Sequence, residues 1–329
     1  MLGQVLKTIK KYKMCEPGER VLLAVSGGPD SIALLDLFKR LQPSLSLSIF
    51  VAHLDHNLRK NSSRDRRFVE CFCKQLGLPF FSKVLDWKGS LPDDSIEDKL
   101  RRKRYEFLFS TAKKLNIKKI VLGHTLDDQA ETVLMRVLRG SGLYGLSAIL
   151  PVRIEGGFVI IRPLIESKRS QIMCYLSSRK IKYVIDETNK NEKFFRNKIR
   201  LSLIPLLEKG YNPNVKEVLS DIALTVGADY EFLSKQADKF IEENIKKQKN
   251  GFLIKVDSFL KLDVSLRRIV YRKLILALHG NMRKISYSHI EDLEDLVSER
   301  PLNSELFLPH GIVVTRSKKG VFFKKMSCF

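Results

Sequence analysis

The sequence predicts an α/β protein: a parallel sheet with helices on both faces, followed by a smaller, mainly helical C-terminal domain. Three observations carry this expectation. Over the first half of the 329 residues, short apolar runs alternate with longer segments of helical periodicity, the pattern of strand–helix–strand units. The apolar runs are not interrupted by polar residues at every second position, as expected of strands covered on both sides. A Gly-Gly pair lies where the first run gives way to a helix, and glycine supplies the backbone freedom such a turn needs.

The elements follow in order. Leu2, Val5, Leu6 and Ile9 recur at helical spacing with lysines between them. This segment has no uninterrupted apolar core and no small-residue cleavage site, so it is not read as a signal peptide. No run is long enough to span a bilayer, and a cytoplasmic protein without membrane contact is expected. Strands are expected at residues 21–25, 47–52, 79–85 and 119–123, with helices at 32–41, 64–76, 96–115 and 127–139. Beyond these come a strand at 158–162, a helix at 169–178 and a basic helical segment at 194–207. Lys209-Gly210-Tyr211-Asn212-Pro213 is turn chemistry, which divides the chain into domains 1–210 and 211–329. The second domain shows helices at 215–246, 265–278 and 287–297, then short strands near 306, at 312–315 and at 321–324.

The formal net charge of +22 calls for a polyanionic partner, and nucleic acid is the first candidate because phosphate neutralisation supplies most non-specific affinity. The second domain has few aromatics among its lysines, so no base-stacking platform is evident there. The five cysteines (Cys15, Cys71, Cys73, Cys174 and Cys328) contain no C-x-x-C pair. Cys71 and Cys73 face different sides of a helix, and reduced, inert thiols are expected.

Three polar clusters sit where strands end, the place at which open α/β sheets bind ligands. In Ser26-Gly27-Gly28-Pro29-Asp30-Ser31, the glycines let the backbone approach a ligand, and the following helix presents free amides and its positive end to a phosphate. The two serines add hydroxyls, and Asp30 adds a carboxylate able to face a metal ion. No Walker A pattern is present. In the second cluster, His53-Leu54-Asp55-His56-Asn57-Leu58-Arg59, no compact set of zinc ligands is completed, and a loop closing on a nucleotide base through backbone groups is the better reading. The third, Gly123 to Thr132, places Glu131 one turn above Asp127 and Asp128, an acidic set able to take Mg²⁺ or a cationic substrate. Thr125 followed by Asp128 also reads as a capping box. Glu97, Arg101 and Arg104 share helical spacing and can direct guanidinium forks at phosphates. Arg196-Asn197-Lys198-Ile199-Arg200 concentrates three cations in a turn and a half, suited to ATP phosphates or an RNA backbone.

Taken in order, these motifs resemble the PP-loop ATP pyrophosphatases, which split ATP between its α and β phosphates, and within them the tRNA(Ile)-lysidine synthetases. The residues that carry the likeness are the SGGxDS loop Ser26–Ser31, the HxDHxLR block from His53 to Arg59, Gly123 to Thr132, and Arg139-Gly140-Ser141-Gly142-Leu143-Tyr144-Gly145-Leu146. Arg162-Pro163-Leu164, Asp186-Glu187-Thr188-Asn189 and Phe195 to Arg200 complete it. The likeness covers residues 15–208; Leu100 stands where relatives usually carry alanine before the first arginine, and longer relatives have a further C-terminal domain.

The resemblance implies a PP-loop, Rossmann-like fold and an ATP- and Mg²⁺-dependent ligase. Such an enzyme adenylates the C2 oxygen of the wobble cytidine of a CAU anticodon in tRNA(Ile), then attaches free lysine. It further implies that Ser26, Gly27, Gly28 and Ser31 hold pyrophosphate, that Asp30 is the metal ligand, and that Ala52 and His53 contact the nucleotide. Arg101 and Arg104 would neutralise the leaving group, and Asp128 and Glu131 would bind lysine with Asp127 in support. Asp30, Arg101, Asp127 and Asp128 form the implied catalytic set, and Arg196, Asn197 and Arg200 would meet tRNA or phosphate. Self-association as a homodimer is left open. The alternatives are another PP-loop tRNA-modifying enzyme, such as a thiolase, or a tRNA-binding relative without catalysis.

Overall fold

Strand β1 (Arg20–Ala24) lies inside a six-stranded sheet of order β3-β2-β1-β4-β6-β5. The computed structural model describes residues 1–57, 62–86, 96–185 and 195–326, apart from the side chains of Ile96 and Glu97. Leu58, Arg59, the Glu97 side chain, Asp186 to Asn189, position 194 and Cys328 therefore lie outside the described residues.

β1 pairs in parallel with β2 (Ser48–Asp55) on one side and β4 (Lys119–Val121) on the other, with Leu23 opposite Val51 and Val121. β3 (Phe80–Val84) continues the sheet beyond β2, and β6 (Phe158–Ile161) beyond β4. β5 (Val152–Glu155) closes that edge as an antiparallel partner of β6. The strand order reverses between β2 and β4, so the loop after β1 opens at the topological switch point.

The period of two explains why β1 reads as continuously apolar. Val21, Leu23 and Val25 enter one core with helices α1 (Leu2–Lys11), α2 (Pro29–Leu45), α3 (Ser62–Gln75) and, further along the chain, α7 (Arg169–Ser178). Leu22 enters the opposite core, formed with Tyr105, Leu108 and Ala112 of α4 (Ile96–Lys114). Helices thus cover both faces of the parallel sheet, as the sequence predicts. The acidic helix α5 (Leu126–Leu138) follows β4, and the short α6 (Leu143–Leu146) follows α5.

Helix α1 has a further task. Glu166, in the segment between β6 and α7, accepts hydrogen bonds from Thr8 Oγ1 (3.0 Å), Lys11 Nζ (2.5 Å) and Tyr12 Oη (2.9 Å). The next residue, Ser167, offers its carbonyl to the Leu126 amide at the start of α5 (3.0 Å). The first helix therefore braces the segment from which α7 begins and to which the start of α5 is hydrogen-bonded.

The basic segment forms α8 (Phe195–Lys198), a π-helical turn at Ile199–Leu203, and α9 (Ile204–Gly210). α10 (Val215–Asn244) follows. By compactness the chain divides into Met1–Gly227 and Ala228–Phe329, so the division falls within α10, downstream of the turn at residues 209–213.

The second unit packs α11 (Val256–Leu260), α12 (Val264–His279) and α13 (Tyr287–Ser298) with a five-stranded antiparallel sheet of order β7-β8-β11-β10-β9. β9 (Glu305–Leu308), β10 (Ile312–Ser317) and β11 (Gly320–Lys325) answer to the three expected tail strands. The hairpin β7 (Ile245–Gln248) and β8 (Gly251–Ile254) adds two more. Its core gathers Phe240, Phe259, Tyr271, Leu274, Leu293, Ile312 and Phe323. No helix among the described residues is long and apolar enough to cross a membrane.

Candidate active site

The loop after β1 is drawn tight by its own polar groups. The Val25 amide still donates to the Ala52 carbonyl (2.9 Å), and the His53 ring donates from Nδ1 to the Val25 carbonyl (2.8 Å). Burial holds the His53 imidazole below its ordinary value, so the ring is a neutral brace behind the loop. Gly27 adopts φ +95°, and a Cβ on it would lie 3.3 Å from Val69 Cγ2 and 3.4 Å from Val184 Cγ2. The dihedral favours glycine, and a side chain there would press on both valines. Gly28 caps α2 and Pro29 occupies its first turn, where the missing amide costs no hydrogen bond.

The amides of Ser26 and Gly27 each point at Ser31 Oγ, at 3.2 Å, while that hydroxyl donates to the Gly28 carbonyl at 2.9 Å. Two amides converging on one oxygen at a helix N-terminus form a nest suited to an anion.

Asp30 stands at the lip of this nest. Its Oδ1 is buried with no hydrogen-bond partner, and its Oδ2 lies 3.5 Å from Arg169 Nη1. Burial pushes the carboxyl up to about 6, against the pull of Arg169 and with help from nearby Asp128. An orphaned carboxylate oxygen beside a phosphate nest has the chemistry of a hard-cation ligand, since Mg²⁺ takes one or two carboxylates together with phosphate oxygens.

The end of β4 reaches the same place. A Cβ on Gly123 would lie 3.4 Å from the carbonyl carbon and oxygen of Asp30, so glycine lets the β4 loop close on the start of α2. Thr125 then caps α5 in a capping box: its Oγ1 accepts from the Asp128 amide (3.2 Å), and Asp128 Oδ2 accepts from the Thr125 amide (2.9 Å). Asp128 Oδ1 meanwhile pairs with Arg196 Nη2 at 2.8 Å. Capping and charge recognition are thus combined in one residue. Burial would raise the Asp128 carboxyl, yet Arg196 and the Thr125 amide outweigh it and hold it below its ordinary value.

Glu131, with its side chain 2% exposed, accepts from Arg196 Nε (2.7 Å), Arg200 Nε (2.5 Å) and Arg200 Nη2 (2.9 Å). Asp127 accepts from the Arg169 amide at 2.7 Å and pairs with Lys216 at 3.2 Å. The acids and the cations expected to meet separate ligands are therefore brought together. Asn197 is buried between the two arginines in sequence.

Further cations come from α4 and from the residue after β6. Arg101 and Arg104 stand over the Tyr105 ring at 5.8 and 5.9 Å. Arg104 Nε is buried without a partner. Arg162 is 3% exposed and donates to Leu150 O (2.6 Å) and His124 Nδ1 (3.2 Å). Burial, reinforced by Arg162, drives His124 down to about 3, so the imidazole is neutral with its proton on Nε2.

Sequence reasoning gave no role to His124, Arg162 or Arg169. Arg169 left a signal: a cation in the first turn of a helix opposes the dipole and so asks for a partner. Tyr144 (52% exposed) and Phe195 (40% exposed, beneath the Arg139 guanidinium at 5.3 Å) supply aromatic surface in the first unit. Burial pushes the Cys15 and Cys73 thiols up to about 12, which fits inert cysteines.

Residues 2–207 match the model of a PP-loop domain. The chain is 34% identical to the tRNA(Ile)-lysidine synthase of Clostridioides difficile (strain 630), over 98% of its own length and 70% of that protein's. It is 36% identical to the enzyme of that name from Clostridium tetani, over 90% of this chain and 63% of the relative. A third, from Geobacter sulfurreducens, is also 36% identical, with 98% and 69% covered. Among solved structures, a U34-tRNA thiolase from Methanococcus maripaludis superposes with a TM-score of 0.55 at 17% identity, over 76% of this chain and 81% of that one. At that identity the likeness speaks for the fold alone.

Proposed function

Because the chain belongs to the tRNA(Ile)-lysidine synthase family of PP-loop proteins, we propose that it is an ATP-dependent ligase that joins lysine to the wobble cytidine of tRNA(Ile) bearing a CAU anticodon. The observation that carries the reading is the contact of Gly123 with the Asp30 backbone. It sets a phosphate nest with an orphaned carboxylate oxygen directly beside the paired acids of α5.

In the first step the C2 oxygen of cytidine attacks the α-phosphorus of ATP, and the bond to the β-phosphate breaks with loss of pyrophosphate. In the second, the lysine amine adds at C2 and loses a proton, and the C2–O bond breaks as AMP leaves with the oxygen. The α2 terminus receives pyrophosphate, joined by the amides of Ser26 and Gly27 when the phosphate replaces Ser31 Oγ as their acceptor, and Gly28 and Ser31 shape the nest. Arg101 and Arg104 stabilise the negative charge that grows on the leaving group. Ala52 and His53 hold the loop and border the nucleotide. Asp128 and Glu131 take the lysine ammonium, and Asp127 positions Arg169 through its amide. Asp30 would hold Mg²⁺, which would supply charge neutralisation at the phosphates when bound. Arg196, Asn197 and Arg200 serve phosphate once nucleotide and tRNA are present.

Incubation with ATP, Mg²⁺, radiolabelled lysine and bulk tRNA is expected to make the label acid-precipitable, and changing the wobble cytidine is expected to abolish it. Label that survives that change would defeat the assignment. The net charge of +22 further predicts tRNA affinity that falls steeply with salt, by about 10³-fold or more between 50 and 200 mM for six or more phosphate contacts. A flat salt profile in filter binding would contradict a phosphate-dominated interface.

A further inference from the structure

We propose that Arg196 and Arg200 form a latch over Asp128 and Glu131, and that lysine gains these acids only after nucleotide phosphates have drawn the arginines away. The inference rests on the reading of Asp128 and Glu131 as the lysine site and adds an order of binding to it.

The charge balance comes first. Two carboxylates face two guanidiniums, and Glu131 alone accepts three of their N–H bonds while its side chain is 2% exposed. Asp128 has one oxygen committed to the capping box and the other paired with Arg196. An added ammonium would find its acceptors taken. It would also leave three positive groups facing two carboxylates. Burying unpaired charge is costly, so lysine alone is a poor competitor for this site.

A nucleotide changes the balance. The loop that leads into α5 approaches the Asp30 backbone at Gly123, which sets the acids holding the arginines beside the nest, so phosphates there offer the arginines a second anionic partner. Guanidinium forks bind phosphate and carboxylate with similar geometry. The exchange therefore keeps both arginines paired and frees both acids for the ammonium.

The backbone is built for such a move. Arg200 sits in the π turn Ile199–Leu203, closed by the Ile204 amide on the Ile199 carbonyl. A π turn holds one residue more than the α register and is a recurrent feature of functional sites. Reverting to the α register turns the preceding segment by about 100° around the helix axis, which carries Arg196 off the acids without unfolding α9.

The test is lysine binding by the full chain, measured by equilibrium dialysis of radiolabelled lysine. With α,β-methylene-ATP and Mg²⁺ present, affinity is expected to rise about 10-fold or more over protein alone, a typical coupling between sites. Arg196→Lys keeps the charge and loses the fork, so it is expected to bind lysine without nucleotide more tightly than the wild type and to show a smaller nucleotide effect. Equal wild-type affinity with and without the analogue would overturn the latch while leaving the lysine site in place. No lysine binding under any condition, tRNA included, would instead overturn the reading of the acids on which the latch depends.

Discussion

Asp30→Asn is expected to abolish AMP and pyrophosphate formation, by about 10³-fold or more, while tRNA binding survives. The carboxylate is the group on the phosphate side that combines a buried, unpartnered oxygen with proximity to the nest. The amide keeps its size and removes the charge that a divalent cation requires. The same substitution is expected to stabilise the ligand-free protein at neutral pH. In the folded chain the carboxyl ionises near 6, because burial opposes its charge, whereas in the unfolded chain it ionises near 3.9. The unfolded state therefore loses its proton first, and stability declines as pH rises from about 4 to 6 and stays low above that. The gap corresponds to at most about 3 kcal/mol at pH 7. Thermal melts should show a higher Tm for Asp30→Asn than for the wild type at pH 7.5 and almost none of that gain at pH 4. An equal shift at both pH values would mean that ionisation of Asp30 is not its source. A residue that weakens the empty protein and enables the loaded one marks a site held ready for its ligand.

Glu131→Gln is the second large effect. It leaves Arg196 and Arg200 facing a neutral amide in a buried setting, and breaking one member of such a network costs about 3–5 kcal/mol. Denaturant unfolding should therefore show a marked drop in midpoint. In turnover assays the lysine concentration needed for half-maximal rate is expected to rise about 10²-fold, with the ATP requirement little changed. A shift in the ATP requirement alone would reassign the cluster to the nucleotide.

The sequence made the catalytic edge legible because its signals are local. The apolar runs of β1, β2 and β4 alternate between two cores within a few residues, and each ends in a polar turn that is contiguous in sequence. The Thr125–Asp128 capping box was readable for the same reason. What escaped were relations at a distance or elements without pattern. Nothing in residues 128–131 announces that their partners lie at 196 and 200, since the pairing is set by how α5 and the π turn pack. β5 is an antiparallel edge strand of four residues, too short to show a period. β7 reads Ile-Lys-Lys-Gln and is mostly exposed, so it carries no apolar alternation, and its first two residues read as the end of the helix expected at 215–246. The neutral state of His124 follows from burial and from Arg162, 38 positions away, which no spacing rule connects.

The brace between α1 and Glu166 bears on how this unit comes into being. Thr8 and Tyr12 find Glu166 across 158 and 154 positions, and the loop so closed contains every strand of the first sheet. Closing a ring of that length is slow because its entropy must be lost before its contacts form. During synthesis β1 and its phosphate nest emerge early, but the floor under α5 and the cap that turns Arg169 toward Asp30 wait for the segment after β6. The acidic half of the site is thus completed after the nucleotide loop. A nascent chain can own the whole nucleotide loop and still lack the surface that gives it something to do.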